Sequence, residues 1–165
     1  MIFFRNLRNE WRTFVASPLK FFVPSAITAI VGVLVWLSCD GISLVWKTSY
    51  HPSFCILLWM MFSLWTVTYI LFGILISMGR ICSLGGELCL KAVIGYVAGL
   101  FWCPLTLLAG GGLCGVFAIV ASIAYTAYIM KLYCKISILG LLCSLTIVIY
   151  EVYMLFFTMG FTIIN

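Results

Sequence analysis

Marked as apolar and polar positions, the chain is a series of long unbroken apolar runs separated by short polar breaks. Five runs stand out, at about 21–39, 54–79, 88–108, 113–131 and 136–163. Each approaches or exceeds the ~20 apolar residues that a helix needs to cross the hydrocarbon core of a bilayer. In such a helix every backbone donor is paired internally, as hydrocarbon requires. A transmembrane barrel would instead show segments of about ten residues with apolar and polar side chains alternating. The breaks are chemically distinct. Asp40 to Pro52 holds Asp, Gly, Lys, His and Pro, and Arg80 to Glu87 holds Arg, Ser and a Gly pair. Gly110-Gly111-Gly112 makes a very short turn, and Lys131 to Lys135 a short basic one. The pattern predicts an all-α integral membrane protein, with a five-transmembrane-helix bundle over 21–165 and a segment of a different kind over 1–20.

In that first segment Arg5, Arg8 and Arg12 recur at helical spacing, with Phe4, Leu7, Trp11, Phe14 and Val15 on the other side. This predicts a short amphipathic helix on the membrane surface; a plain basic flank that sets topology fits the same residues. A secretory signal is not expected, because the apolar run follows a long basic lead, lacks a small-residue cleavage site and is followed by further spans.

Composition sharpens the picture. Of the 165 residues, 65% are hydrophobic and 8% charged, against about 25% charged in a typical soluble domain. That is too little charge to cover a water-facing exterior, so lipid is the solvent for most of the chain. With five spans, Arg5, Arg8, Arg12, Lys20, Arg80, Lys91, Lys131 and Lys135 fall on one side and only Lys47 on the other. The positive-inside bias then predicts a cytoplasmic amino terminus, with the 40–52 loop and Asn165 external. The net charge of +5 is topological on this reading and calls for no nucleic-acid partner.

Candidate chemistry is sparse. The eight cysteines include no C-x-x-C pair and the single histidine is His51, so no metal site or cofactor is expected and the cysteines read as small apolar filler. A disulfide between Cys39 and Cys55, near the external ends of the first two spans, is the less favoured alternative. Glu151 is the one carboxylate predicted deep in a span, where charge is costly and faces the bundle interior or a cavity. It reads either as a hydrogen-bonded structural residue or as a proton-linked or ligand contact, with Tyr150 and Tyr153 beside it. No nucleophile–base–orienter set can be assembled around it, which argues against triad-type hydrolysis and for a protein that is not an enzyme. Gly95-x-x-x-Gly99 puts two small residues on one helix face, suited equally to packing within the chain or to a homodimer contact.

The run from His51 to Arg80 carries Trp59, Trp65, Tyr69 and Gly73. Trp65, Tyr69 and Gly73 recur every four residues and share one face, whereas Trp59 lies roughly 120° off alignment with Trp65. Such a face suits a flat apolar guest; aromatic packing or an interfacial belt is the commoner use. The order of these residues resembles the second helix of the TspO/MBR family, the tryptophan-rich sensory proteins and translocator proteins also known as peripheral-type benzodiazepine receptors. Pro52-Ser53-Phe54, Trp59, Trp65-Thr66, Tyr69 and Gly73 match without a gap, and Trp46 stands near the family's loop Trp. Phe101-Trp102-Cys103-Pro104-Leu105 is similar to the end of the third helix. In the fifth, Tyr150, Tyr153, Phe157-Thr158 and Ile164-Asn165 fall on the family's Trp, Phe, Leu-Asn and final Leu-Asn positions.

The resemblance implies a five-helix bundle that binds a flat hydrophobic ligand, a porphyrin (haem precursor) or a sterol, in an intra-bundle pocket closed by the 40–52 loop. The function would be sensing or transport, as a receptor does. It places ligand contacts at Trp46, Trp59, Met61, Trp65, Trp102, Tyr150, Tyr153 and Phe157, with Glu151 as an intramembrane polar contact. It implies a homodimer through the Gly95/Gly99 helix, and a bacterial inner membrane or a mitochondrial outer membrane as the location. The sequence departs from the family at Ile56-Leu57 and Phe62-Ser63, where prolines are usual, at Gly95 and Gly99 for Gln and Asn, and at Thr158 for Asn. These changes predict straighter helices and a more apolar cavity. They also fit a structural accessory subunit that has lost the pocket. An integral-membrane enzyme acting on a porphyrin or lipid is a third reading.

Overall fold

Residues 2–39, 58–82, 86–107 and 112–164 are described by the computed structural model. Six helices account for the regular structure among them: α1 (Ile2–Ala16), α2 (Leu19–Ser38), α3 (Leu58–Cys82), α4 (Glu87–Leu107), α5 (Gly112–Tyr133) and α6 (Ile138–Ile164). Four stretches, Leu19–Ser38, Trp59–Cys82, Leu113–Tyr133 and Ile138–Gly160, are long and apolar enough to cross a membrane. Their outer faces expose large apolar side chains such as Phe22, Ile27, Phe117 and Ile149, as lipid contact requires. The described residues form helices and no strand, and the chain has the build of a multi-pass integral membrane protein. Trp46, Cys55, the 40–52 loop and Asn165 lie outside the described residues.

Serine and threonine hydroxyls within the spans are returned to carbonyls one turn back, as at Thr68 to Leu64, Ser77 to Gly73 and Ser144 to Gly140. That local bond hides the hydroxyl and explains how the apolar runs tolerate these residues. Successive helices from α2 to α6 run antiparallel. Gly73 brings α3 against α2: a Cβ there would fall 2.3 Å from Ser25 Cα. The same seam carries two bonds between helices, from the Thr28 hydroxyl to Tyr69 O at 2.7 Å and from the Trp65 indole N–H to Gly32 O at 2.9 Å.

The small-residue face of α4 packs inside the chain. A Cβ on Gly95 would lie 2.7 Å from Ile129 Cδ1, and one on Gly99 3.7 Å from Ser122 Oγ, both on α5. Of the two uses open to Gly95 and Gly99, this face is occupied by the packing of α4 on α5.

At the end of the bundle where α2 begins, polar groups pin the helices together. Tyr133, fully buried, donates its hydroxyl to Leu75 O at 2.6 Å and so ties the end of α5 to α3. Ser137 caps α6 by accepting the Gly140 N–H at 2.9 Å. Glu10 of α1 completes that cap, its two oxygens accepting the N–H groups of Ile138 at 3.1 Å and Leu139 at 2.9 Å. A carboxylate at this point satisfies otherwise unpaired donors and meets the positive end of the helix dipole. Phe14 rests on Phe21 with ring centroids 4.9 Å apart, while Trp11 and Val15 stay exposed. Helix α1 is therefore docked on the bundle and keeps apolar surface uncovered by protein, as a helix lying at a lipid interface would.

Candidate functional site

The centre of the bundle is organised around Glu151 on α6, 4% exposed. Ser122 and Thr126 stand one turn apart on α5, and both donate to Glu151 Oε1, at 2.6 and 3.2 Å. The other oxygen, Oε2, is buried without a hydrogen-bond partner. Buried carboxyl oxygens are seldom left so, because an unmet acceptor carries its full desolvation cost.

A cavity of about 20 Å³ adjoins it, lined by Trp65, Thr68, Tyr69 and Phe72 of α3, Gly99 and Trp102 of α4, Ile119 of α5, and Tyr150, Glu151 and Met154 of α6. A water molecule needs about 10–15 Å³ measured in this way, so the space suits one water beside the carboxyl. A pocket for a drug-sized ligand is about 300–1,000 Å³. In this conformation the centre is closed to any such guest.

The aromatic groups around the cavity are held at both their edges and their faces. The Trp65 ring packs on Tyr69 at 4.8 Å, Trp36 at 5.5 Å and Trp102 at 5.8 Å between centroids. Tyr69 continues the cluster to Tyr96 at 5.4 Å, edge to face. The two indoles that line the cavity spend their N–H groups on protein acceptors, Trp65 on Gly32 O and Trp102 on the Thr158 hydroxyl, each at 2.9 Å. Aromatic pairs of this geometry are worth about 0.5–1.5 kcal/mol each beyond area burial.

Of the residues singled out in the sequence, Trp65, Trp102, Tyr150 and Glu151 meet at this cavity. Met61 and Phe157 are buried in the surrounding core, and Tyr153 is half-buried against it. Trp59 points outward at 63% exposure and takes no part in the cavity; it sits where a membrane-facing anchor would. Ser122, Thr126 and Trp36 were not singled out. Two hydroxyls at i and i+4 in an otherwise apolar helix are the signal that marks Ser122 and Thr126 as partners for the one carboxylate in the spans.

Chemically, the arrangement offers apolar contact and a hydrogen-bond acceptor. Among the described residues that line the cavity none carries a thiol, imidazole or amine beside the carboxyl. Among the described residues no group of three or more His, Cys, Asp or Glu side chains is placed to hold a metal ion. Compared with known proteins, the chain matches no protein-family model and no curated protein.

Proposed function

We propose that the chain is a divergent TspO/MBR-like protein of five membrane spans, with α4 as the fifth. On this reading it binds a flat hydrophobic molecule, a porphyrin or a sterol, between α3, α4 and α6 for sensing or transport. One observation carries the reading. Trp65, Trp102 and Tyr150, from three separate helices and each at a position suggested by the resemblance, border one cavity together with a carboxyl oxygen that has no partner. The guest's binding energy would come from desolvation against aromatic faces, with Glu151 Oε2 as its polar anchor. Because the cavity fits about one water, binding requires the aromatic groups of α3 and α4 to part. The apparent affinity is then lowered by the fraction of molecules in the open state. Ligand-linked opening of this kind is also how binding would be signalled. The eight-to-one distribution of Lys and Arg supports a cytoplasmic amino terminus and an external Asn165.

The test is titration of the detergent-solubilised protein with protoporphyrin IX and with cholesterol, followed by quenching of indole fluorescence. The proposal expects saturable binding near one ligand per chain for one of the two. A second reading, an accessory subunit that has lost the pocket, is favoured by the smallness of the cavity and by the engagement of both indole N–H groups. Absence of saturable binding by either ligand would decide for it.

A further inference from the structure

Lys20 is the second residue of α2 and Arg80 lies in the last turn of α3. Between these helix ends opens a cleft of about 680 Å³ lined by both cations and walled by Leu19, Val23, Pro24 and Ile81. Among the described residues that line it none is acidic. Among the described residues the ion pair is Lys91 with Glu87 at 2.5 Å, and neither Lys20 nor Arg80 has such a partner. Glu10 faces an adjoining recess that shares Ile81, but both its oxygens are engaged by the N–H groups that open α6. The cleft thus presents two positive charges without an ion-pair partner among the described residues, above apolar walls, with the exposed apolar surface of Phe22 and Ile27 continuing along α2.

We propose that this cleft is a binding site for the headgroup phosphate of an anionic phospholipid. Lys20 and Arg80 stand where the apolar runs of their helices begin and end, which is the depth of lipid headgroups. Basic pockets between membrane helices bind anionic headgroups by this combination of charge and depth. The planar fork of Arg80 suits a phosphate, and the Lys20 ammonium supplies a second charge. Free phosphate would leave Leu19, Val23 and Ile81 bare. A lipid covers them with its glycerol and first acyl carbons, so the lipid is the occupant that fits. The inference rests on the chain spanning a membrane and is independent of any ligand at the central cavity.

The experiment uses the full chain in detergent micelles, supplied in parallel with dioleoyl phosphatidylglycerol, dioleoyl phosphatidylcholine or inorganic phosphate. Native mass spectrometry counts retained lipid, and a thermal melt reads stabilisation. The parent should retain phosphatidylglycerol over phosphatidylcholine by on the order of tenfold, and phosphatidylglycerol alone should raise the melting temperature. Lys20→Gln with Arg80→Gln should abolish that preference without changing the melt in phosphatidylcholine. Lys20→Arg with Arg80→Lys should keep it, and so should Lys131→Gln, which removes a cation elsewhere. Each single Gln substitution should weaken the preference in part, a result that stands even if the double variant folds poorly. Equal retention of the two lipids would overturn the proposal, as would a phosphate effect equal to that of phosphatidylglycerol. So would a preference that survives the double Gln variant or is lost in Lys131→Gln.

Discussion

Replacing Glu151 tests how the centre of the bundle is held together. Glu151→Gln keeps the side-chain volume and the acceptor oxygen that receives the Ser122 and Thr126 hydroxyls. It exchanges only the oxygen that faces the cavity, so its cost should stay within about 1 kcal/mol. Glu151→Ala removes both bonds, worth about 0.6 kcal/mol each on average inside membrane proteins. It also leaves an unfilled space, at a further cost on the order of 1–3 kcal/mol. The expected total is about 2–4 kcal/mol. The assay is reversible unfolding in mixed micelles at neutral pH, titrated with a denaturing detergent and read by circular dichroism and indole fluorescence. Ser122→Ala should cost less than Glu151→Ala, and the two should be non-additive because they share a bond. If Gln is as damaging as Ala, the ionised carboxylate is structurally required and hydrogen bonding alone does not hold the centre. If Ala costs nothing, the network does not stabilise the bundle.

The other perturbations probe the frame around that centre. Glu10→Ala should destabilise the docking of α1 and the start of α6 by about 1 kcal/mol, read as faster amide exchange at Ile138 and Leu139; unchanged exchange would mean the cap is dispensable. Gly73→Ala should cost about 1–3 kcal/mol by overpacking the α2–α3 seam, where the added carbon would meet Ser25 Cα at 2.3 Å, and an unaltered melting temperature would show that the seam yields freely. Cysteines introduced near each terminus should be labelled by an impermeant reagent only at the carboxyl-terminal end in intact cells, and labelling of both ends on one side would refute the five-span reading.

The helical character of the chain was legible because lipid imposes one rule on every span. An apolar run near twenty residues with polar breaks has few alternatives, and among the described residues α2, α3, α5 and α6 carry runs long and apolar enough to cross a membrane. Rotation of the helices was less legible. Trp59 and Trp65 look equivalent as letters, yet one is outside and the other is at the core. The difference is set by the close approach at Gly73 and by the acceptor at Gly32, which spacing alone does not reveal. The pair Gly95 and Gly99 is written the same way for an internal or an external neighbour, and only the position of α5 chooses between them. The bond from Glu10 to Ile138 spans 128 residues and leaves no local signature. The closure of the central cavity was also hidden, since it depends on how four helices fit side chains together and not on any one motif.

The claim of a ligand site in the bundle is tested most directly by comparing Trp65→Phe with Trp59→Phe in porphyrin titrations, each paired with a measurement of stability in a bilayer. Trp65 borders the cavity and Trp59 faces outward, so only the first should weaken binding, by more than ~1 kcal/mol, the order of an aromatic contact beyond its area. Trp65→Phe also gives up the bond to Gly32 O, which makes some loss of stability part of the expectation; the affinity loss must exceed it. Equal affinities in the two variants, or changes confined to stability in a parent that binds neither porphyrin nor sterol, would contradict the account and leave the aromatic cluster as packing.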